Sequence, residues 1–511
     1  MKTCVVRKRI PSYSGSVPVN IADTIYTPPG FGIPKFAICY YTNGSDNDAF
    51  DESSTNRVVG IGFIGLSAFD NSTLLSYTAY CSFQHNELYT SANNKSVSGA
   101  SSTRFVYEFR ASNRGVFRQF FNASFGQDKL DFTYQHTVTT SNNLDIVFIF
   151  FTGDDIQANV GSLALNATIN QTASVTGLTF APDLILTTGS GFALDSGQVD
   201  GRISFGCATR FGSIKNSSSA FRMRNSAGTA TTVSEYVADN RCFSMFNSNA
   251  NTINTAEVTS FNSDGFTITS RTSFSGTTNQ MLYMALKGPA SNIFDLQNYT
   301  SSTSTGISGI ATTDFIPSLV LGALGTVTTT NSLTTSNNST GLSIFAVKSL
   351  NSKSNYGLGT MSVSSGSSAV TGAGTAFSSF NPGDNIYNSI NTQIGTVSSV
   401  TSNTSLTLAS NSSTAMTSEK YSVIPISQFS VSIGSSNDAT TTKVYSAINT
   451  NPIFLATYGG SSTASTILNG KINNFDSYPG FKINYTTIDA TARKGWILSF
   501  KDNENRRRDA N

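Results

Sequence analysis

Short apolar runs separated by Ser-, Asn- and Gly-rich stretches set the pattern of this chain, and helical periodicity is hard to find anywhere in it. "GFTI" (Gly265–Ile268) and "GFKI" (Gly480–Ile483) alternate apolar and polar side chains, as half-buried strands do. "IVFIFF" (Ile146–Phe151), "LYMAL" (Leu282–Leu286) and "WILSF" (Trp496–Phe500) are long enough for central strands covered on both faces. Before three further apolar runs stands a proline, in Ile33-Pro34, Phe180-Ala181-Pro182 and Phe315-Ile316-Pro317. Proline fixes φ and cannot donate to a ladder, so it belongs at a strand's start or edge.

These marks recur in one order. After each proline come "GIGFIG" (Gly60–Gly65), "GRISFG" (Gly201–Gly206) or "GLSIFAV" (Gly341–Val347). The alternating strand follows, with "LDFTYQ" (Leu130–Gln135) as its form in the first copy, and then the closing run. Three copies of one unit are expected, each an antiparallel sandwich. Pro182 lies 84 residues before Phe266, and Pro34 lies 98 before Phe132, but Pro317 lies 164 before Phe481. The excess in the third copy is an insertion, residues 357–424. Within it, "SVSSGSSAVTGAGTAF" reads as strand, Gly-centred turn and strand, with Val363 and Val370 inward, and "NPGDNIY" launches another strand. A hairpin is expected about Ser402-Asn403.

The fold class that follows is all-β: three tandem antiparallel β-sandwich (jelly-roll-like) domains, with a small β-barrel inserted in the third. Expected boundaries are 1–17, an N-terminal arm; 18–155, 156–289 and 290–356 plus 425–503, the sandwiches; 357–424, the barrel; and 504–511, a C-terminal tail. Tandem sandwiches of this kind are expected to form a rigid rod.

Composition supports strands and narrows the partners. At 511 residues, roughly three to four domains are expected. Charged residues are 12%, about half the usual share, and the difference is made up by Ser, Thr, Asn and Gly. The 36 Phe and 19 Tyr supply buried area, so this polarity describes a neutral surface and not disorder. A formal charge of +2 gives no reason to expect nucleic acid. Arg7-Lys8-Arg9 and Arg506-Arg507-Arg508 read as solvated termini or subunit contacts. There is no apolar stretch of signal-peptide length before Pro11 and no membrane span. The five cysteines (Cys4, Cys39, Cys81, Cys207, Cys242) lack CxxC spacing and read as buried free thiols.

The inserted block resembles the small β-barrel modules of tailed-bacteriophage virion proteins, through Gly359–Ile386 and Ile394–Leu408. The flanking repeats are similar to the tandem sandwiches of such particles. Copy one departs from their pattern, with Gly32 in place of the Phe before Pro34 and Asp131 in place of the Gly before Phe132. The resemblance implies a structural, non-enzymatic virion component, made in the host cytoplasm without a signal peptide and with no cofactor. Within that class a tail or fibre protein contributing to host attachment is expected first. A capsid decoration or head-appendage protein is the alternative, and a polysaccharide-degrading virion enzyme a remote one. Expected partners are other virion proteins, further copies of the chain (a trimer) and a host-surface glycan, with neither nucleic acid nor membrane insertion.

Candidate chemistry is sparse. Gly60, Gly62 and Gly65 satisfy GxGxxG, but no convincing helix follows and the repeat alignment puts the segment in a strand, so a nucleotide site is rejected. The two histidines, His85 and His136, sit in no triad signature, and no carboxylate pair stands out. Asp46, Asp48, Asp51 and Glu52 concentrate acid in one loop whose oxygens suit Ca²⁺; the other reading is a solvated loop. Phe117, Arg118, Phe120 and Phe121, with Phe125, cannot all share one strand face. They read either as a subunit interface or as a strand buried on two sides. Trp496 reads as core of the closing strand.

Overall fold

The computed structural model describes the chain apart from residues 29, 47–56, 67–76, 87–95, 110–115, 141, 191–195, 200, 225–231, 248–251, 275–279, 312–314, 316, 337–339, 349–358, 381–383, 391, 425–427, 436–443, 459–463, 475–479 and 502–511. The fold is all-β.

The first unit comprises β1 (Lys2–Ile10), β2 (Val19–Tyr26), β3 (Phe36–Thr42), β4 (Ser45–Asp46), β5 (Arg57–Leu66), β6 (Tyr77–Asn86), β7 (Ser96–Ser101), β8 (Val106–Phe109), β9 (Val116–Gly126), β10 (Lys129–His136) and β11 (Leu144–Thr152). The second comprises β12 (Gln157–Ala164), β13 (Thr172–Val175), β14 (Leu184–Gly189), β15 (Ser196–Val199), β16 (Gly201–Thr209), β17 (Lys215–Arg224), β18 (Thr232–Ala238), β19 (Phe243–Phe246), β20 (Ile253–Asn262), β21 (Gly265–Ser270) and β22 (Gln280–Lys287). The third begins with β23 (Phe294–Thr300), β24 (Gly306–Ala311), β25 (Leu319–Gly325), β26 (Thr334–Ser336) and β27 (Thr340–Lys348). The inserted module follows as β28 (Thr360–Val363), β29 (Ala369–Ala373), β30 (Asn385–Asn388), β31 (Gln393–Ser402), β32 (Ser405–Leu408), β33 (Met416–Glu419) and β34 (Tyr421–Ile424). The third unit resumes with β35 (Gln428–Ser435), β36 (Val444–Asn449), β37 (Ile453–Tyr458), β38 (Ala464–Asn474), β39 (Gly480–Thr487) and β40 (Lys494–Phe500).

Each unit packs a large sheet on a small one. In the first the orders are β1-β11-β3-β5-β6-β7 and β2-β10-β9-β8, and the other two repeat them strand for strand. The chain crosses between sheets from β1 to β2, β2 to β3, β7 to β8 and β10 to β11, in jelly-roll fashion. The prolines fall at equivalent places, before β3, β14 and β25, as do the closing runs, on β11, β22 and β40. In the first copy, the residue opposite Ile25 and Phe125 is Leu130. The same position in the second copy, opposite Val175 and Phe261, is Phe266. Lys129-Leu130 is therefore the first copy's form of Gly-Phe, two residues earlier than the sequence alignment about Phe132.

One strand of each unit leaves home. β15 of the second unit extends the first unit's large sheet beside β7, and β26 of the third extends the second's beside β18. β4 of the first pairs in parallel with β36 of the third. The exchange closes on itself, so the three sandwiches form a ring and not a rod.

The physical reason is that the large sheets are apolar on both faces. One face meets the small sheet of its own unit, giving the cores around Phe120 and Phe148, around Phe266 and Ile268, and around Ile483 and Ile497. The other face joins a common core on the ring's axis, which includes Phe36, Tyr40 and Phe63 of the first unit, Phe205 and Met284 of the second, and Phe429 and Trp496 of the third. Residues 2–10 of the expected N-terminal arm form β1, an edge strand of the first large sheet, paired along its length with β11.

The inserted module is a nearly closed seven-stranded sheet, in the order β33-β28-β29-β32-β31-β30-β34, with its own core of Phe377, Tyr421, Leu406 and neighbours. Val363 pairs with Val370, both buried, and Ser402 pairs with Ser405 across the expected hairpin. No helix among the described residues is long and apolar enough to cross a membrane.

Candidate functional site

The sequence candidates fall in several places. Asp46 lies on β4, the short strand exchanged onto the third unit, while Asp48, Asp51 and Glu52 lie outside the described residues. Among the described residues no group of three or more His, Cys, Asp or Glu is placed to hold a metal ion. Cys4, Cys39, Cys207 and Cys242 are buried thiols. Gly60 and Gly62 lie within strand β5, and a Cβ on Gly62 would fall 1.9 Å from the Phe105 carbonyl oxygen. Sheet packing, not a phosphate, requires these glycines.

On β9, Arg118 and Phe120 are fully buried between the sheets of the first unit. Phe117 is buried as well, its ring 5.5 Å from the Arg118 guanidinium. Phe121 is half-buried and pairs with Thr133. Three adjacent strands place Glu108, Arg118 and His136 side by side. Arg118 Nε donates to Glu108 Oε2 at 2.7 Å, its Nη1 donates to the Asn142 carbonyl at 3.1 Å, and Asn43 Nδ2 reaches Glu108 Oε1 at 3.4 Å. His136 stacks on Tyr13 with ring centroids 5.0 Å apart. Burial, helped by the Arg118 charge, pushes the imidazole down to about 4, so it is neutral near pH 7. The row has the residue types of a catalytic group, but all three side chains are sealed from solvent. It organises the end of a sandwich.

The basic cluster is paired within the chain, with Arg9 still exposed. Arg7 and Arg9 both hold Asp145 of β11, at 2.9 and 2.8 Å, and Lys8 holds Asp23 at 2.9 Å.

An open depression of about 810 Å³ lies where the second and third units meet, between the β16–β17 turn, the β18–β19 turn, β20 and β23. Asn216 builds its floor. Its Oδ1 accepts the Val258 N–H at 2.8 Å and its Nδ2 donates to the Val258 carbonyl at 3.2 Å, pinning β20 where its ladder shifts register between Val258 and Ser260. Ser217 Oγ donates to Asn298 Oδ1 at 3.2 Å, tying the second unit to the third. Two of the three charged groups, Glu257 and Lys215, are ion-paired within the protein, and Asp239 is held by neutral donors. Glu257 is clamped by Arg241 at 2.6 Å and by Arg271. Lys215 pairs with Asp295 at 3.2 Å, and Asp239 accepts from Thr330 at 2.8 Å and from Asn331. What remains on offer is the Asn240 amide, the Asn298 amide N–H groups and the Gln297 carbonyl oxygen; Gln297 Nε2 is spent on Asp295 at 2.8 Å. Ile214, 39% exposed, forms an apolar rim.

Sequence reading does not find this groove. Its residues come from four separate segments, in a chain where Asn, Ser and Thr are everywhere, so no local pattern marks them. No protein-family model matches the chain, and no curated protein matches it.

Proposed function

We propose that this chain is a structural component of a tailed-phage virion, contributing to host attachment at the tail, with no catalytic role. The supporting observation is the closed ring. Three sandwiches share one core and exchange edge strands, which gives a stable scaffold that presents loops and an amide-lined groove. The virion assignment itself rests on the resemblance of the inserted barrel and the sandwich repeats to phage particle proteins. Its partners are then other virion proteins and a host-surface glycan, and it reaches the particle in the host cytoplasm. A homotrimer is expected where chains share strands about an axis; here a single chain supplies all three sets.

The ring also favours a second reading. Three similar units about one axis fit a capsid position of local threefold symmetry, as a decoration protein would need. Immunogold labelling of intact particles separates the two. Gold at the tail supports attachment, gold over the head supports decoration, and unlabelled particles sink the virion reading.

A further inference from the structure

We propose that the groove between β20 and β23 binds a linear, uncharged glycan through side-chain amides and hydroxyls, an assignment that rests on the attachment reading above. The charge pattern selects the ligand. Glu257 and Lys215 are each ion-paired inside the protein, and Asp239, hydrogen-bonded to Thr330, keeps a negative charge at the rim, so a polyanion is disfavoured and a neutral chain of hydroxyls is the better match. Sugar hydroxyls both donate and accept, and they match the free amide groups of Asn240, Asn298 and Gln297. The apolar edge at Ile214 suits the C–H face of a pyranose ring.

The site is preformed and it extends. The Asn216 bridge fixes its floor, so little ordering is lost on binding. At its outer end Thr259 is hydrogen-bonded to Thr269 at 3.0 Å, and Thr267 of the same strand to Ser174 at 3.0 Å. This row of hydroxyls carries the polar surface across β20, β21 and β13, in line for a chain of several sugars. The groove is open because the β16–β17 connection is only a short turn; the equivalent connection in the third unit, β27 to β35, carries the entire barrel.

The test uses the full chain against immobilised linear hexasaccharides of glucose, galactose, mannose and N-acetylglucosamine, with hyaluronan and polysialic acid as charged controls. At least one neutral hexasaccharide is expected to bind more tightly than its disaccharide, and neither polyanion is retained. The double variant Asn240→Ala/Asn298→Ala is expected to weaken that binding about tenfold, the loss of one or two hydrogen bonds. Both side chains are exposed, so an unchanged Trp496 unfolding curve shows that the variant folds. Retention of no neutral oligosaccharide, equal retention of the polyanions, or wild-type binding by the double variant overturns the proposal. If the groove fails while gold still marks the tail, attachment uses another surface. If particles are unlabelled, the attachment reading itself fails, whatever the sugars do.

Discussion

Phe205 of the second unit packs against Trp496 of the third, ring centroids 4.9 Å apart, and Tyr40 of the first meets Phe205 edge-on at 5.6 Å. All three side chains are buried, so one residue from each sandwich meets on the axis. Cores joined in this way cannot lose one unit without exposing the other two. Phe205→Ala is expected to cost about 3–5 kcal/mol, the usual range for a buried aromatic. The loss should appear in the ring as a whole. Trp496 is the only tryptophan, so its fluorescence in a urea titration reports the axis, and it should coincide with the main circular-dichroism transition for both proteins. Separate transitions would mean that the sandwiches stand alone.

Glu235 sits where the third unit's β26 joins the second unit's β18. Its Oε1 accepts the Thr326 N–H at 2.8 Å and its Oε2 bonds the Thr326 hydroxyl. Burial raises the carboxyl from 4.5 to about 8, against the opposing pull of the Thr326 bonds and the Arg493 charge. A raised folded-state value means the native protein holds the proton more tightly than the unfolded chain. The contribution is therefore full below pH 4.5 and is lost as pH rises through about 8. Wild type is expected to unfold at lower urea at pH 9 than at pH 6. Glu235→Gln, which has no proton to lose, should flatten that difference, and an unchanged slope would exclude Glu235 as its source.

The strands were legible where burial leaves a side-chain pattern. Pro182 and Pro317 mark strand starts because proline cannot join a ladder, and Ile146–Phe151 reads as a central strand because both its faces are covered. The ring's closure was not legible. β4, β15 and β26 are two to four residues long and mostly polar or glycine, and they join neighbouring sheets through backbone bonds, which require no particular side chains. Arg7 and Arg9 looked like a solvated terminus because their partner, Asp145, lies 136 or more residues away and is hidden in an apolar run. The groove was invisible for the related reason that its amides converge only after the second and third units pack.

Gly62 and Gly206 occupy the same place in two units, on β5 and β16. An added Cβ would lie 1.9 Å from the Phe105 carbonyl oxygen in one and 2.0 Å from that of Cys242 in the other. Both obstacles are backbone, so neither can swing away, and the sheets must separate. Gly62→Ala and Gly206→Ala are each expected to cost about 1–3 kcal/mol or more by overpacking. Gly212→Ala meets nothing within 4 Å but has φ +70°, so its cost is backbone strain of about 1 kcal/mol. Equal urea midpoints for wild type and Gly206→Ala would show that the sheets are looser than this contact requires.

Arg118 and Glu108 form an ion pair with no solvent on either side, and removing one partner strands the other. Arg118→Ala is expected to destabilise by about 3–5 kcal/mol, while Arg118→Met with Glu108→Leu should recover much of that, since no buried charge then remains. His136, beside them, gives the opposite pH sign to Glu235. Its folded value of about 4 lies below the ordinary 6.5, so the unfolded chain takes the proton first. Stability from this group is present above 6.5 and falls as pH drops towards 4. His136→Phe keeps a ring against Tyr13 and removes the titration. Urea midpoints measured from pH 7 down to pH 4 should fall more steeply for wild type than for this variant, and parallel curves would show that His136 does not drive the acid response.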